Sequence, residues 1–370
     1  MTTIIEARQL QKRYGESLAV RDVSFAVEEG EFLSLLGASG SGKTTTLRMI
    51  AGLEIPTQGT VLFRGQDITS APVAKRDMRM VFQDFALFPN LTVWENVAFG
   101  LKLRINRGRI TREQIKSRVG QYLDTVQLSG HADKMPHELS GGQRQRVSLA
   151  RALVTDPPVV LFDEPLGSLD ANMRKVMQLE LKRLHRELRK TFIYVTHDQE
   201  EAMGLSDRVA VLEDGQLLQL GTPDDIYFRP SCAAVARFIG AANVLQGVAA
   251  VVPGRPFGVQ LAGGLRLEAA DNVAGVADGE AVTIMLRAEH TGVMPADGDA
   301  AGGLRAQITE RLFLGEKVRY ELKVAATGLL LTAVAGGDQG RLGLGDEVVV
   351  TADPRHVRVL PRAAAPRVEA

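Results

Sequence analysis

At 370 residues the chain is long enough for two domains of ordinary size, and its 44 basic and 44 acidic side chains cancel, so no whole-chain field draws it to nucleic acid. No apolar run approaches the roughly 20 residues that cross a bilayer as a helix, and the opening MTTIIEARQLQKRYG lacks the parts of a secretory signal. The single cysteine, Cys232, excludes an internal disulfide or a cysteine-built metal cluster; a soluble protein of a reducing cytoplasm fits best.

In chain order, VSFAVEEGEFLSLLG reads as two strands meeting at Glu28–Gly30. The stretch LLGASGSGKTTTLRMI follows, a strand end, a loop of small residues and a helix. Residues about 87–155 offer helix periodicity and little strand, which predicts an inserted helical subdomain, with the polar, basic Ile105–Glu113 as an exposed loop. ELSGGQRQRVSLARAL places Ser140, Gly141 and Gly142 at the start of an amphipathic helix, as an N-cap or a second anion site. PPVVLFDE and TFIYVTH are short apolar runs of the kind buried on both faces of a parallel sheet. The amphipathic helix ANMRKVMQLELKRLHRELRK separates them, and RVAVLEDGQLLQLG reads as a hairpin turning at Asp214-Gly215. Strand and helix alternating in this way indicate an α/β domain. Beyond FIGAANVLQG, short strands alternate with Gly and Asp turns, which predicts a small β-barrel, and residues 363–370 read as a disordered tail.

The loop from Gly37 to Thr44 matches GxxxxGK[S/T], the phosphate loop. Gly37, Ser39, Gly40, Ser41 and Gly42 let the backbone curl with several N–H groups aimed at one anion. The helix begun near Lys43 adds its positive end. Lys43 is expected to reach the β- and γ-phosphates of ATP, and Thr44 to hold Mg²⁺ through its hydroxyl. Thr45, the next residue of this nucleotide-binding segment, stands where a GxGxxG dinucleotide fingerprint needs its third glycine. Asp163 and Glu164 end the VVLF strand, at the edge where ligands of such sheets bind. Asp163 is expected to bind Mg²⁺, directly or through water, and Glu164 to act as general base. His197 ends the second buried strand, from which it could donate a hydrogen bond to the γ-phosphate.

Leu139-Ser140-Gly141-Gly142-Gln143, just before the Asp163-Glu164 strand, resembles the signature of ATP-binding cassette (ABC) ATPases. Other matches fall in that family's order over residues about 4–240. Tyr14 resembles the aromatic residue that stacks on adenine, and Gln83 the glutamine that contacts Mg²⁺ and senses the permease. Ser168-Leu169-Asp170 resembles the loop that joins two protomers, and His197 the switch histidine. Gly167 stands where many relatives have serine.

The resemblance implies a phosphate-loop NTPase domain over 1–242 and a barrel of the TOBE, OB-like type over 243–362. It implies a head-to-tail homodimer, with ATP between the phosphate loop of one copy and Ser140, Gly142 and their neighbours in the other. It further implies two integral-membrane permease subunits, an extracytoplasmic solute-binding protein, and a peripheral place on the cytoplasmic face of the inner membrane. Phe85, Phe88 and Trp94 would then belong to the groove that receives a permease helix. The C-terminal region resembles the extension of importer ATPases, although Ala288 replaces a usual proline and Ala352 a common tryptophan, which weakens any inference of a ligand there. VFQDFALFPNLTVWENVAFGL and FIGAANVL are most similar to the spermidine/putrescine group, with ferric-iron and aminophosphonate importers close. A soluble ABC ATPase working on DNA or ribosomes is the other class. It is opposed by the single cassette, the lone cysteine and the absence of a long heptad segment.

Overall fold

The computed structural model describes residues 2–105, 110–252, 257–262, 266–269, 276–296, 303–337 and 342–361. Part of the predicted Ile105–Glu113 loop and all of the predicted 363–370 tail lie outside them. Two compact units divide the chain, the first running to Pro223 and the second beginning at Asp224.

The first unit opens with β1 (Thr3–Tyr14), β2 (Ser17–Glu28), β3 (Phe32–Leu36) and α1 (Lys43–Ala51). Strands β4 (Gln58–Phe63), β5 (Gln66–Asp67) and β6 (Met78–Val81) lead into helices α2 (Val93–Ile105), α3 (Arg112–Thr125) and α4 (Gly141–Leu153). The chain continues through β7 (Val159–Asp163), α5 (Ala171–Leu188), β8 (Thr191–Thr196), α6 (Gln199–Leu205), β9 (Arg208–Glu213) and β10 (Gln216–Gly221). The central sheet has the order β10-β9-β3-β8-β7-β6, parallel throughout except for the antiparallel edge strand β10.

Strand periodicity builds a core on each face of this sheet. Leu33, Leu35, Val159, Leu161, Ile193 and Val195 point to one cluster, shared with α1 and the N-terminal strands. Phe32, Val160, Phe162, Phe192 and Tyr194 point to the other, which Met177, Leu181 and Leu184 of α5 close. Because both faces are covered, β7 and β8 are buried at every position. The 87–155 region is helical, its own cluster formed by Val93, Val97 and Leu101 against Ile115, Val119 and Leu123, with Val147 and Ala150 of α4. The β9–β10 turn falls at Asp214 and Gly215, both at positive φ (48° and 79°), as a tight hairpin requires.

One sheet was not legible in the sequence: the antiparallel β2-β1-β4-β5 layer. Its pairing slips between Ala7 and Leu10, with Gln9 and Asp22 at positive φ, so the apolar alternation breaks where a bulge inserts a residue.

The second unit carries α7 (Pro223–Phe228, starting at the boundary) and α8 (Ala233–Phe238). Strands β11 (Ala242–Ala250), β12 (Phe257–Leu261), β13 (Arg266–Ala269), β14 (Ala281–Arg287) and β15 (Thr291–Pro295) follow. The last five are β16 (Leu304–Phe313), β17 (Lys317–Val324), β18 (Leu330–Gly336), β19 (Glu347–Ala352) and β20 (Arg358–Leu360). They form two curled antiparallel sheets, β13-β12-β11-β14-β20 and β15-β19-β16-β17-β18, around one shared core. Buried Arg287 donates to the carbonyls of Tyr227 (2.6 Å) and Ala236 (3.3 Å) and lies over the Tyr227 ring, which ties α7 and α8 to β14. The N–H of Ala288 donates to Ala241 O at 3.0 Å, a bond that the proline usual at this position cannot make.

Candidate active site

The turn between β3 and α1 is shaped by two close backbone approaches. A Cβ on Gly37 would stand 2.2 Å from Leu212 O, and one on Gly42 2.6 Å from Ala19 O, with φ at 92° besides. Only glycine fits either position. Helix α1 therefore starts on a residue with no side chain to cap it, and its first amides stay open to an outside anion. Ser41 Oγ is buried without a hydrogen-bond partner. Lys43, 4% exposed, lies back across the loop and donates to Gly37 O (2.8 Å) and Ala38 O (2.7 Å). Burial pushes its pKa down, opposed by the charges of Glu164 and Asp163.

Thr44 Oγ1 donates to Asp163 Oδ1 at 2.9 Å, which joins the helix start to the end of β7. Arg48, one turn beyond Thr44 on α1, comes within 3.7 Å of the other Asp163 oxygen. The sequence reading did not single out Arg48; the i, i+4 spacing from Thr44 was the available signal. Asp163 is 6% exposed, and burial raises its carboxyl above the usual range against the Thr44 hydrogen bond. Glu164, at φ 45°, leaves the strand direction, and its N–H donates to Val195 O at 3.1 Å. Its Oε2 lies 3.0 Å from His197 Nδ1. A Cβ added to Gly167 would meet Gln83 Nε2 at 3.7 Å and Glu164 Oε2 at 3.9 Å, both ordinary contacts. Gln83 and Glu164 therefore flank one spot, and the position has room for the serine of many relatives.

Lys43, Thr44, Asp163, Glu164, His197 and Gln83 thus gather at the C-terminal ends of β3, β6, β7 and β8. Tyr14, 47% exposed, sits at the end of β1, where Lys12 Nζ lies 5.1 Å from its ring. The partner strand of that hairpin brings Ala19 against Gly42.

Ser140 to Gln143 form a separate cluster. Ser140 caps α4, its Oγ accepting from Gln143 N (3.3 Å) while Gln143 Oε1 accepts from Ser140 N (3.0 Å). Gly141 and Gly142 face Leu169 and Met173; a Cβ on Gly142 would stand 2.6 Å from Met173 Sδ. Asp170 caps α5 by accepting from Met173 N at 2.9 Å. Among the described residues, no hydrogen bond or ion pair joins Ser140–Gln143 to Gly37–Thr45.

The glutamine-to-α2 segment is held by polar bonds. Phe85 and Ala86 adopt positive φ (59° and 45°), and Arg151 donates to both carbonyls, at 2.9 Å and 2.6 Å. Phe88 packs on Phe99 at 4.4 Å, and Trp94 is partly buried in the helical cluster. An apolar cavity of about 400 Å³ lies nearby, lined by Leu53, Val73, Met78, Met80, Phe82 and Gly100. Leu53 and Val73 come from connections that carry no motif, so their part in it was not readable from the sequence.

The family profile described as ABC transporter matches residues 20–167, and that described as TOBE domain matches residues 284–360. The chain is 46% identical to the spermidine/putrescine import ATP-binding protein PotA of Rubrobacter xylanophilus, over 96% of this chain and 93% of that one. It is 44% identical to the protein of that name from Thermobifida fusca, over 93% and 88% of the two chains. Among solved structures, it is similar to cbiO1 of Clostridium perfringens, part of an ABC transporter complex (TM-score 0.56, 29% identity, 61% of this chain and 91% of that one). It is also similar to the dimeric post-hydrolysis state of an ATP-binding cassette bound to ADP and Pi (TM-score 0.53, 34% identity, 60% of this chain).

Proposed function

This chain belongs to the ABC transporter ATP-binding proteins, and from that premise we propose that it energises the import of spermidine and putrescine by hydrolysing ATP at the end of β3, β7 and β8. The observation that carries hydrolysis is the Glu164–His197 pair, 3.0 Å apart, beside a phosphate loop whose helix start is uncapped; the polyamine cargo is supported by the similarity to the spermidine/putrescine import relatives. The Glu164 carboxylate takes the proton of the attacking water. His197 hydrogen-bonds the γ-phosphate oxygens as their charge builds, and the α1 amides and Lys43 neutralise the same charge. Tyr14 stacks on the adenine.

Orphaned Ser41 Oγ and the open α1 terminus fit a triphosphate. The Thr44 hydroxyl, the Asp163 carboxylate and the Gln83 amide are hard oxygen donors of the kind Mg²⁺ accepts beside phosphate oxygens. Mg²⁺ there would offset phosphate charge.

Ser140 and Gly142 complete the site from a second copy of the chain. The surface that carries Phe85, Phe88 and Trp94, with the apolar cavity beside Phe82, receives a cytoplasmic helix of the permease, whose two subunits carry the solute handed over by an extracytoplasmic binding protein. No helix among the described residues is long and apolar enough to cross a membrane; the permease holds the chain at the cytoplasmic face.

The test is uptake by vesicles that hold this chain with its permease pair and are supplied with the binding protein. ATP-dependent accumulation of labelled spermidine or putrescine, abolished by Glu164→Gln, is the expected result. ATP hydrolysis without uptake of either polyamine, by a chain that never joins a permease, overturns the reading.

A further inference from the structure

His197 is 60% exposed at its side chain, and among the described residues its hydrogen-bond partner is Glu164. A ring so placed has little packing to orient it, so its aim at Glu164 is set by the backbone that carries it. The residues on either side of it are tied to Glu201, Thr196 through its buried carboxylate and Asp198 through its backbone N–H. Glu201, 4% exposed, accepts from Thr196 Oγ1 at 2.7 Å and from Tyr194 OH at 2.8 Å, both on β8. The Glu201 N–H donates to Asp198 Oδ1 at 3.1 Å, and the Asp198 N–H donates to Thr196 Oγ1 at 2.9 Å. His197 thus sits in a three-residue span whose two ends close on Glu201.

One cation faces this cluster from α5. Arg174 Nη1 lies 3.6 Å from Asp198 Oδ2, and its Nε lies 3.9 Å from Glu201 Oε1, buried without a hydrogen bond. The other arm, Nη2, donates to Leu169 O at 3.2 Å, while the backbone N–H of Arg174 donates to Asp170 O at 2.9 Å. A single guanidinium therefore reaches the 168–170 loop by a hydrogen bond and the 196–201 turn by two ion-pair contacts. Burial raises the Glu201 carboxyl, with Arg174 among the groups acting to lower it.

We propose that Arg174 and Glu201 form a brace that positions His197 against Glu164 and ties that pair to the Ser168–Asp170 loop. Arg174 is a positioning residue: its side chain meets Leu169, Asp198 and Glu201, and its effect on hydrolysis passes through His197. The proposal rests on the role given above to His197. It gives the 168–170 loop a path to the hydrolytic pair, so that displacement of the loop moves the histidine.

The test is steady-state ATP hydrolysis by the full-length chain, with Arg174→Met, Arg174→Lys, Glu201→Gln and His197→Ala alone and in combination. Misplacing a reacting group by about 1 Å can cost about 100-fold, so Arg174→Met is expected to lower kcat by about 10- to 100-fold. The KM for ATP is expected to stay within about threefold, because the phosphate loop is untouched. Glu201→Gln keeps an acceptor for Thr196 and loses the charge, and shows a smaller fall of the same kind. Arg174→Lys recovers part of the loss, and if Arg174→Met fails to fold, Arg174→Lys and Glu201→Gln carry the same comparison. In the His197→Ala background, Arg174→Met or Glu201→Gln is expected to add nothing, a result that a merely structural role does not produce. A further multiplicative loss in that background overturns the brace, as does a raised KM with unchanged kcat. Wild-type turnover in Arg174→Met beside a slowed His197→Ala overturns the brace alone. Wild-type turnover in His197→Ala removes the role of His197 and the brace with it.

Discussion

The chain contains two glycine-bearing helix starts, and they are built in opposite ways. Helix α1 begins on Gly42 at φ 92°, with no side-chain cap and a lysine folded onto its own loop carbonyls. Helix α4 begins on Ser140, which with Gln143 forms a reciprocal capping box. A glycine N-cap in place of a serine costs only about a few tenths of a kcal/mol. At α1 that deficit leaves amides for an anion to satisfy, and phosphate binding offsets it. At α4 the serine and glutamine satisfy the end from within, so the helix is stable before any ligand arrives. The first start leaves donors for an anion; the second satisfies its own end.

Substitutions can break this contrast, the largest effect coming first. Glu164→Gln removes the carboxylate beside the open start that we propose as proton acceptor and is expected to lower turnover by about 10²–10⁴. ATP binding by that variant, followed by titration with a fluorescent analogue, stays near wild type, and a parallel loss of binding would show that Glu164 belongs to the cradle. Lys43→Ala takes charged donors from the phosphates, each worth about 1.5–3 kcal/mol, and is expected to weaken ATP binding by about 10- to 100-fold. Its melting temperature without nucleotide hardly changes, because burial already disfavours the charge of Lys43.

At the capped start the pattern reverses. Ser140→Ala is expected to cost about 0.5–2 kcal/mol of stability, seen as a lower melting temperature, while ATP binding by a single chain is unchanged. A loss of ATP binding there would mean that the two starts serve one chain.

Asp163→Asn sharpens the contrast with the smallest effect on stability. The folded Asp163 carboxyl lies above its unfolded value because of burial. Its contribution to stability is therefore fully present below the unfolded carboxylate range, about pH 4, and is lost as pH rises through the folded value. The asparagine variant is expected to melt slightly higher than the parent near pH 7 and to lose that advantage as the pH falls toward 4, measured without nucleotide. Its ATP hydrolysis is expected to fall.

Much of this was readable from residue order alone. The phosphate loop, the Asp163-Glu164 strand end and the Ser140 helix start are local patterns, in which spacing within a few residues dictates backbone shape and capping. The buried strands β7 and β8 announce themselves through unbroken apolar runs, and the Asp214-Gly215 hairpin through its turn residues. Tertiary structure decided what distant segments bring to one another. Gly42 is required because Ala19, far back on β2, stands against it, and Gly37 because Leu212 does. Arg48 matters through Asp163, and Arg174 through Asp198 and Glu201. Sequence spacing carries local geometry because bond angles and helix pitch are the same everywhere, whereas these contacts exist only once a particular sheet order has set the ends of β3, β7 and β8 side by side.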